Sequence, residues 1–165
     1  MVREMTRSDL PRVLEIYNQG IREGTSTFTT ECPSADEWDA SHLPYCRLVC
    51  TDGGHILGFL ALTPTSARKA YSGSVEVSIY VDENSRGRGV GTRLMNSLFE
   101  RAEQNGIWSV LSVILENNTA SMEFHKKLGF RVIGYREKIA RDRFGVWRNT
   151  VLAEYRLPCP DGTAG

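Results

Sequence analysis

The segment NSRGRGVGTRL, residues 84–94, carries three glycines at alternate positions, with Arg86 and Arg88 interleaved. A strand-like run precedes it and a helical pattern follows it. Glycines lack a Cβ, so backbone N–H groups can converge on an anion, and the start of the helix adds the positive end of its dipole. The segment therefore predicts a site for a phosphate or a pyrophosphate.

Three other interpretations of this loop compete with a phosphate site. A dinucleotide fingerprint requires G-x-G-x-x-G, and Thr92 occupies the position of its third glycine. A Walker loop requires Gly-Lys-Ser/Thr, which does not occur in the sequence. A plain strand-to-helix turn remains open on the glycines alone. A pyrophosphate held without a Rossmann ribose contact fits best, and coenzyme A is the obvious candidate.

The elements around the loop alternate between strands and helices. They are identified by apolar residues that recur with the period of a strand, 2, or of a helix, 3.6. A Ser34–Glu37 capping box and an Asp-Gly-Gly turn add local signals. Strands are predicted at 2–5, 74–82, 107–115, 131–140 and 149–157, and two more lie on either side of the turn within 47–63. Helices are predicted at 8–21, 34–43, 91–106 and 117–129. The order β-α-α-β-β-β-α-β-α-β-β predicts a single α/β domain with a mixed sheet. The apolar run at 107–115 is typical of a strand covered on both faces.

Length and composition restrict the class of protein. The 165 residues suit one domain, and 20 basic side chains balance 20 acidic ones, which disfavours nucleic acid and membrane surfaces as partners. We see no signal peptide and no run of about 18 apolar residues, so we expect a cytoplasmic protein. The cysteines and the three histidines lack zinc-ligand spacing, which predicts reduced thiols and no metal. The cysteines are Cys32, Cys46, Cys50 and Cys159.

Two motifs together resemble those of the GNAT superfamily of N-acetyltransferases. The acyl-CoA loop of that superfamily, Gln/Arg-x-x-Gly-x-Gly/Ala, is matched by Arg86, Gly89 and Gly91, and its second signature resembles NTASMEFHKKLGF, residues 118–130. The order of elements is also similar over residues 2–157. The resemblance implies one acetyltransferase domain over 1–158, with a mostly antiparallel sheet flanked by helices. The remaining residues, 159–165, are expected to form a disordered tail.

A closer resemblance is to the branch with phosphinothricin and methionine sulfoximine acetyltransferases. The similar segments are GTSTFTTE at 24–31, ARKAY at 67–71, VEVSIYV at 75–81 and GVW at 145–147. Asn149 departs from this pattern, since many relatives are expected to have Asp there. That difference bears on the choice of acceptor rather than on the type of reaction.

The resemblance implies acetyl-CoA as cosubstrate, with direct transfer in a ternary complex. Backbone groups of the strand before the loop would pair with the pantetheine as an added peptide strand does. The Asn118 amide would contact the donor, although the same residue fits a plain helix N-cap. The expected donor-binding residues are Ile79, Tyr80, Val81, Arg86, Gly87, Arg88, Gly89, Val90, Gly91, Thr92, Asn118 and Ser121.

Two side chains are expected to be catalytic. Periodicity alone favours a solvent-facing Glu76, but the resemblance implies a general base, and apolar neighbours would raise its pKa toward a useful range. His125 would protonate the departing thiolate or help remove the amine proton, or it is a packed histidine with one hydrogen bond. A splay or bulge near Val77 or Ser78 would free an N–H for the oxyanion.

The acceptor site is expected to recognise an amino acid. A guanidinium at Arg68 would bind the α-carboxylate bidentately, or it is a solvated loop side chain. Phe28 and Trp147 would close the pocket, or they are core or dimer-interface aromatics. The resemblance also implies a homodimer. The expected acceptor-binding residues are Phe28, Ser66, Ala67, Arg68, Tyr71, Glu76, Val77, Ser78 and Trp147.

The predicted function is acetylation of the α-amine of a small amino acid or analogue of the methionine sulfoximine, methionine sulfone or phosphinothricin type. The alternatives are acetylation of a protein N-terminus or a polyamine, and a non-catalytic acyl-CoA-binding domain. Because both Glu76 and His125 are present, we prefer an active enzyme.

Overall fold

The structure is a computed structural model that describes residues 1–160, and its elements follow the predicted order. Residues 161–165 of the predicted tail lie outside the described residues, and Cys159 and Pro160 belong to no strand or helix. The strands are β1 (Val2–Glu4), β2 (Leu48–Asp52), β3 (His55–Pro64), β4 (Ser74–Val81), β5 (Ser109–Leu115), β6 (Arg131–Arg141) and β7 (Trp147–Arg156). The helices are α1 (Leu10–Glu23), α2 (Ala35–Ser41), α3 (Val90–Ala102) and α4 (Thr119–Lys127).

The seven strands of residues 1–160 form one sheet in the order β1-β2-β3-β4-β5-β7-β6. Every neighbouring pair is antiparallel except β4 and β5, which are parallel and are connected through α3. A parallel pair needs such a crossover, whereas the antiparallel neighbours β2 and β3 need only a tight turn. The predicted α/β fold with a mixed, mostly antiparallel sheet is confirmed.

The two faces of the sheet carry separate apolar cores. On the first face, here the α1 face, α1 and α2 pack over β2, β3 and β4; on the second, here the α3 face, α3 and α4 cover the strands. Residues buried on the α1 face include Val13, Ile16, Trp38, Val49, Phe59 and Ala61. Those buried on the α3 face include Val75, Val77, Leu94, Met95, Leu98, Val110 and Ile114.

The N-terminal cap of α2 is the predicted one, and α1 begins without a side-chain cap. Ser34 and Glu37 form the predicted box: Glu37 N–H donates to Ser34 Oγ, and Ser34 N–H donates to Glu37 Oε2. Asp9 is the N-cap residue of α1, but its carboxylate accepts from the Thr6 N–H at 2.7 Å and from Arg3. This cluster fixes the approach of β1 to α1 rather than the first turn of α1 itself.

The prediction that β5 is covered on both faces is correct for only one of them. Val110 and Ile114 are buried against α3, but Leu111 and Val113, which point to the α1 face, are only half-buried. The reason is that α1 and α2 lie over β2, β3 and β4 and do not extend across β5. On the α1 face the sheet is therefore only partly covered around Leu111 and Val113, whereas Leu115 and its partner Thr150, further along the same face, are buried.

The ladder between β4 and β5 is short. Its pairs are Ser74–Ser109, Val75–Val110 and Glu76–Leu111, after which β4 runs to Val81 and β5 to Leu115 without pairing to each other. Meanwhile β4 stays paired to β3 along its other edge. The sheet thus opens into a V-shaped gap beyond Glu76, which is the predicted splay, whereas the β3–β4 register contains no bulge.

Candidate active site

A cleft of about 620 Å³ occupies this gap and is lined from both faces of the sheet. Its walls are the unpaired parts of β4 and β5, the glycine loop, the start of α4, one side of α1 and the segment 25–28. Many of the predicted site residues are brought together here. They are Phe28, Glu76, Val77, Ser78, Ile79, Tyr80, Val81, Arg86, Gly87, Gly89, Val90, Gly91, Thr92, Asn118, Ser121 and His125.

The three loop glycines are needed for different structural reasons. Gly87 and Gly89 have φ of 73° and 71°, a left-handed conformation that side chains rarely adopt, and Gly89 is the N-cap of α3. A Cβ built on either would meet no atom within 4 Å, so the backbone there faces open space. A Cβ on Gly91 would lie 3.1 Å from Phe124 Cζ, so this glycine lets α3 approach α4. The loop leaves room for a ligand against its backbone.

The two loop arginines differ in position. Arg86 lines the cleft and forms a bidentate ion pair with Glu23 at the end of α1, with distances of 2.9 and 2.8 Å. Arg88 lies outside the cleft lining and pairs with Asp52 at 3.3 Å. Of the two predicted cations, Arg86 is therefore the one placed to act inside the cleft.

Glu76 lies at the point where the gap begins. Its side chain is on the α1 face, half-buried, and no hydrogen bond from residues 1–160 reaches its carboxylate. Burial raises the pKa of Glu76, and the positive charge of Arg136 acts in the opposite direction. The carboxylate is thus poorly solvated and unpaired, which suits a group that takes up a proton.

His125 is buried, and one of its two ring nitrogens has a fixed partner. Nδ1 lies 2.8 Å from the carbonyl oxygen of Ser121 and 3.2 Å from its Oγ. A carbonyl only accepts, so Nδ1 carries the proton and Nε2 is a bare acceptor. Nε2 is buried without a hydrogen-bond partner among residues 1–160. Burial also lowers the pKa of His125, so the ring is neutral near neutral pH. The geometry favours the predicted proton-acceptor role over the acid role.

Asn118 performs the predicted cap at the start of α4. Its Oδ1 accepts from the Ser121 N–H at 3.2 Å. The cap uses only the oxygen, and the Asn118 Nδ2 donates to no atom of residues 1–160. Because Asn118 lines the cleft, its amide nitrogen remains available to a ligand there.

The α1 side of the cleft contains Tyr17 and Gly20, which the sequence interpretation missed. The rings of Tyr17 and Tyr80 meet edge to face at 5.0 Å, and Tyr80 stacks on Phe59. Gly20 makes this packing feasible, because a Cβ there would lie 2.7 Å from Tyr80 Cε1. A glycine inside an amphipathic helix usually marks a close approach, so Gly20 was the available signal for this wall.

Several predicted residues lie outside the cleft. Arg68 precedes a short turn, where its backbone N–H bonds to Ser66 Oγ at 3.1 Å. Tyr71 and Trp147 are about half exposed, and the Arg141 guanidinium lies over the Trp147 ring. Their roles, and those of Ser66, Ala67 and Arg88, stay predictions.

Residues 1–160 contain neither a candidate metal site nor a candidate membrane-spanning helix. No group of three His, Cys, Asp or Glu side chains in that range is arranged to hold a metal ion. Within the same range, no helix has both the length and the apolar character needed to cross a membrane.

Comparison with known proteins gives consistent matches. Residues 11–130 match the profile of the acetyltransferase (GNAT) family. The chain is 35% identical over 165 residues to a phosphinothricin N-acetyltransferase of Streptomyces coelicolor, covering 95% of each chain. It is 30% identical over 162 residues to an L-methionine sulfoximine/L-methionine sulfone acetyltransferase of Pseudomonas paraeruginosa, covering 94% of each.

A crystal structure gives a similar result. A phosphinothricin acetyltransferase of Sinorhizobium meliloti, solved in complex with acetyl-CoA, superimposes with a TM-score of 0.89 at 27% identity, covering 100% of this chain and 91% of that one.

Proposed function

This chain belongs to the acetyltransferase (GNAT) family, and from that premise we propose that it transfers the acetyl group of acetyl-CoA to the α-amine of a small amino acid or analogue. Methionine sulfoximine, methionine sulfone and phosphinothricin, on which its relatives act by name, represent the acceptor class. The observation that carries the proposal is the cleft through the β4–β5 gap, with an open glycine cradle at one end and the unpaired Glu76 at the other.

The donor side of the cleft fits acetyl-CoA. The backbone at Gly87 and Gly89 faces open space at the start of α3, as a pyrophosphate requires, and Arg86 adds a cation. The β4 edge from Val77 to Val81 has no strand partner on the β5 side, so an extended pantetheine can pair with it. Bound there, acetyl-CoA supplies a thioester carbonyl to be attacked.

Glu76 acts as the general base in this proposal. An α-ammonium must lose a proton before its nitrogen can attack, and the raised pKa of Glu76 brings the carboxylate closer to the pKa of the amine. The free β4 edge beyond Glu76 offers N–H groups to the oxygen that becomes negatively charged. Donor and acceptor occupy the cleft together, so transfer is direct.

His125 takes part as a proton acceptor at Nε2. The hydrogen bond at Nδ1 fixes the ring and leaves Nε2 bare. His125 lines the cleft, so Nε2 can take a proton from a reactant bound against this wall. Once protonated, Nε2–H becomes a donor for the departing sulfur, so one imidazole serves both predicted roles.

The alternative acceptors fit the cleft less well. A polyamine favours an acidic pocket. Two acidic side chains of residues 1–160 line the cleft, and one of them, Glu23, is paired with Arg86. Glu76 is then the single unpaired acidic side chain in this lining, which is too few for a polyamine. A protein N-terminus needs an open groove, and Tyr17, Tyr80 and Phe28 close the cleft beside α1, which leaves a peptide only the partly exposed surface over Leu111 and Val113.

The experiment that tests the proposal is an assay of thiol release from acetyl-CoA with a panel of amines. Methionine sulfoximine, methionine sulfone and phosphinothricin should be turned over much faster than spermidine or an unblocked peptide. Turnover of peptides or polyamines without turnover of any amino acid would overturn the proposed acceptor. Binding of acetyl-CoA without any turnover would support the non-catalytic alternative.

We also propose that two copies associate through the β6–β7 hairpin. β6 is an edge strand, and the large exposed apolar side chains of residues 1–160 lie in this hairpin, apart from Met1 and Tyr71. An apolar edge of this kind favours burial against a second copy. The side chains are Val132, Ile133, Tyr135, Ile139, Phe144, Val146 and Trp147.

A further inference from the structure

Arg136 of β6 lies on the same face of the sheet as Glu76. Residues paired across strands point to the same face, and successive residues along a strand alternate. Glu76 pairs with Leu111, and Leu111 pairs with Glu154 of β7. Four residues before Glu154 is Thr150, which pairs with Arg136, so Arg136 also points to the α1 face.

Part of the surface between these two side chains is apolar and partly exposed. α1 and α2 stop at β4, and the half-buried Leu111 and Val113 of β5 and Leu152 of β7 point to this face. Arg136 itself is exposed. A small ligand whose amine lies at Glu76 can therefore extend over Leu111 and Val113 toward β6.

The guanidinium of Arg136 has no acidic partner within residues 1–160. Arg131, on the same strand and the same face, pairs with Glu154 at 3.5 Å. Arg136 is nevertheless close enough to Glu76 for its charge to act on that carboxyl. An unpaired cation beside the general base is suited to an anionic group of the acceptor.

A bulge immediately after Arg136 fixes this part of β6. The register with β7 shifts between Arg136 and Ala140, and Lys138 adopts a φ of 45°. Lys138 N–H donates to Asn149 Oδ1 at 2.8 Å, and Asn149 Nδ2 donates to Glu116. An aspartate at 149 has no donor for Glu116, so the departure noted in the sequence has a structural reason.

We propose that Arg136 binds the α-carboxylate of the acceptor and thereby restricts this enzyme to amino acids. The inference rests on the proposed function, because it assigns the other end of the same acceptor. An amino acid can bind with its α-ammonium on a protein carboxylate and its α-carboxylate on a protein guanidinium. The two protein charges are then about 8–10 Å apart. Glu76 and Arg136 have the two opposite charges that this arrangement requires, and they lie on the same face of the sheet.

The test compares Arg136→Gln with the wild type on two substrates, methionine sulfone and its carboxamide, which lacks the carboxylate. The KM for methionine sulfone should rise about 10- to 100-fold, as expected for a lost charge-assisted bidentate contact. Arg136→Lys should restore part of the loss. The KM for the carboxamide and the Kd of acetyl-CoA should stay unchanged, and Arg131→Gln is the matched control on the same strand and face.

A pH profile adds a readout that a purely structural role would not move. Burial raises the pKa of Glu76 and the positive charge of Arg136 lowers it, while the pKa of Tyr80, which burial already raises, is raised further by the Glu76 carboxylate. Removing the positive charge raises the pKa of Glu76 further. The acid limb of kcat for the carboxamide should therefore move to higher pH in Arg136→Gln and not in Arg131→Gln.

Three results would overturn the inference. One is an unchanged KM for methionine sulfone in Arg136→Gln. Another is an equal loss with the carboxamide, and the third is a loss confined to Arg68→Gln. In each case the wild type still acetylates amino acids, which separates these results from a failure of the proposed function.

Discussion

Glu76 and Leu111 form the last residue pair that β4 and β5 share. Beyond them the two strands separate, so the side chain of Glu76 lies at the apex of the gap and on its α1 side. This places the base where the donor and acceptor halves of the cleft meet. The position depends on where a strand ladder ends and not on any motif around Glu76.

Replacing Glu76 with glutamine removes the base and keeps the shape of the side chain. We expect kcat to fall about 100- to 10,000-fold, the usual contribution of a general base, with little change in the Kd of acetyl-CoA. Steady-state kinetics and calorimetry measure the two quantities. Glu123→Gln, an exposed change on α4, serves as control. Full activity of Glu76→Gln over the whole pH range would show that another group is the base.

Valine at Gly89 should weaken donor binding beyond its effect on folding. Gly89 and Gly54 have φ of 71° and 82°, and neither has an atom within 4 Å of a built Cβ, so valine strains both backbones similarly. Both variants should lose about 1–3 kcal/mol of unfolding free energy. Only Gly89→Val should also raise the Kd of acetyl-CoA, because only Gly89 lines the cleft. Equal affinities in the two variants would contradict a phosphate cradle at this loop.

His125 should be neutral near neutral pH, with its proton on Nδ1. The Ser121 carbonyl requires a donor at Nδ1, and burial lowers the pKa of the ring. Long-range proton–nitrogen correlation spectra distinguish the two tautomers and the imidazolium. The exposed His55 provides an internal reference. A proton on Nε2 in the free protein would reverse the order of roles proposed for this residue.

Asp9 should contribute a pH-dependent part of stability. The Arg3 guanidinium, with the Thr6 N–H and hydroxyl, lowers the pKa of Asp9 to about 2. An acidic group whose pKa is lowered by folding stabilises the folded state at pH values above its pKa in the unfolded chain. This contribution disappears as the pH falls from about 4 through about 2. Asp9→Asn should therefore lose about 1–2 kcal/mol near neutral pH and much less in acid. Urea unfolding at a series of pH values measures this, and an undiminished difference in acid would contradict it.

A charge in the β6–β7 hairpin should separate the proposed dimer. Ile133 is exposed on β6, and glutamate there places charges where the second copy would pack. Sedimentation velocity should show a dimer for the wild type and a monomer for Ile133→Glu. Gln104→Glu, an exposed change after α3, is the control. A wild type that stays monomeric at high concentration would remove the hairpin as an interface.

Local patterns were sufficient for most of the fold. The alternation in β4, the Ser34–Glu37 box and the glycine loop each depend on residues close in sequence, and the structure places all three as predicted. The covering of β5 was predicted less well. An apolar strand sequence does not reveal how far α1 and α2 extend across the sheet, and so Leu111 and Val113 were expected to be buried.

The distant relationships in the site were beyond sequence reasoning. Arg86 pairs with Glu23, 63 residues away, and nothing in either segment indicates the partner. Arg136 reaches the α1 face only because a specific register joins β6 to β7. The tautomer of His125 depends on one carbonyl in its own helix, a contact too fine for a motif to predict.

The gap between β4 and β5 also has a kinetic consequence. These strands do not pair with each other beyond Glu76, so an extended pantetheine chain can insert without breaking any hydrogen bond between them. The slot is formed during folding and is preorganised at the time of encounter. Association of the donor should then be limited by collision and orientation of two partners rather than by a slow opening of the sheet.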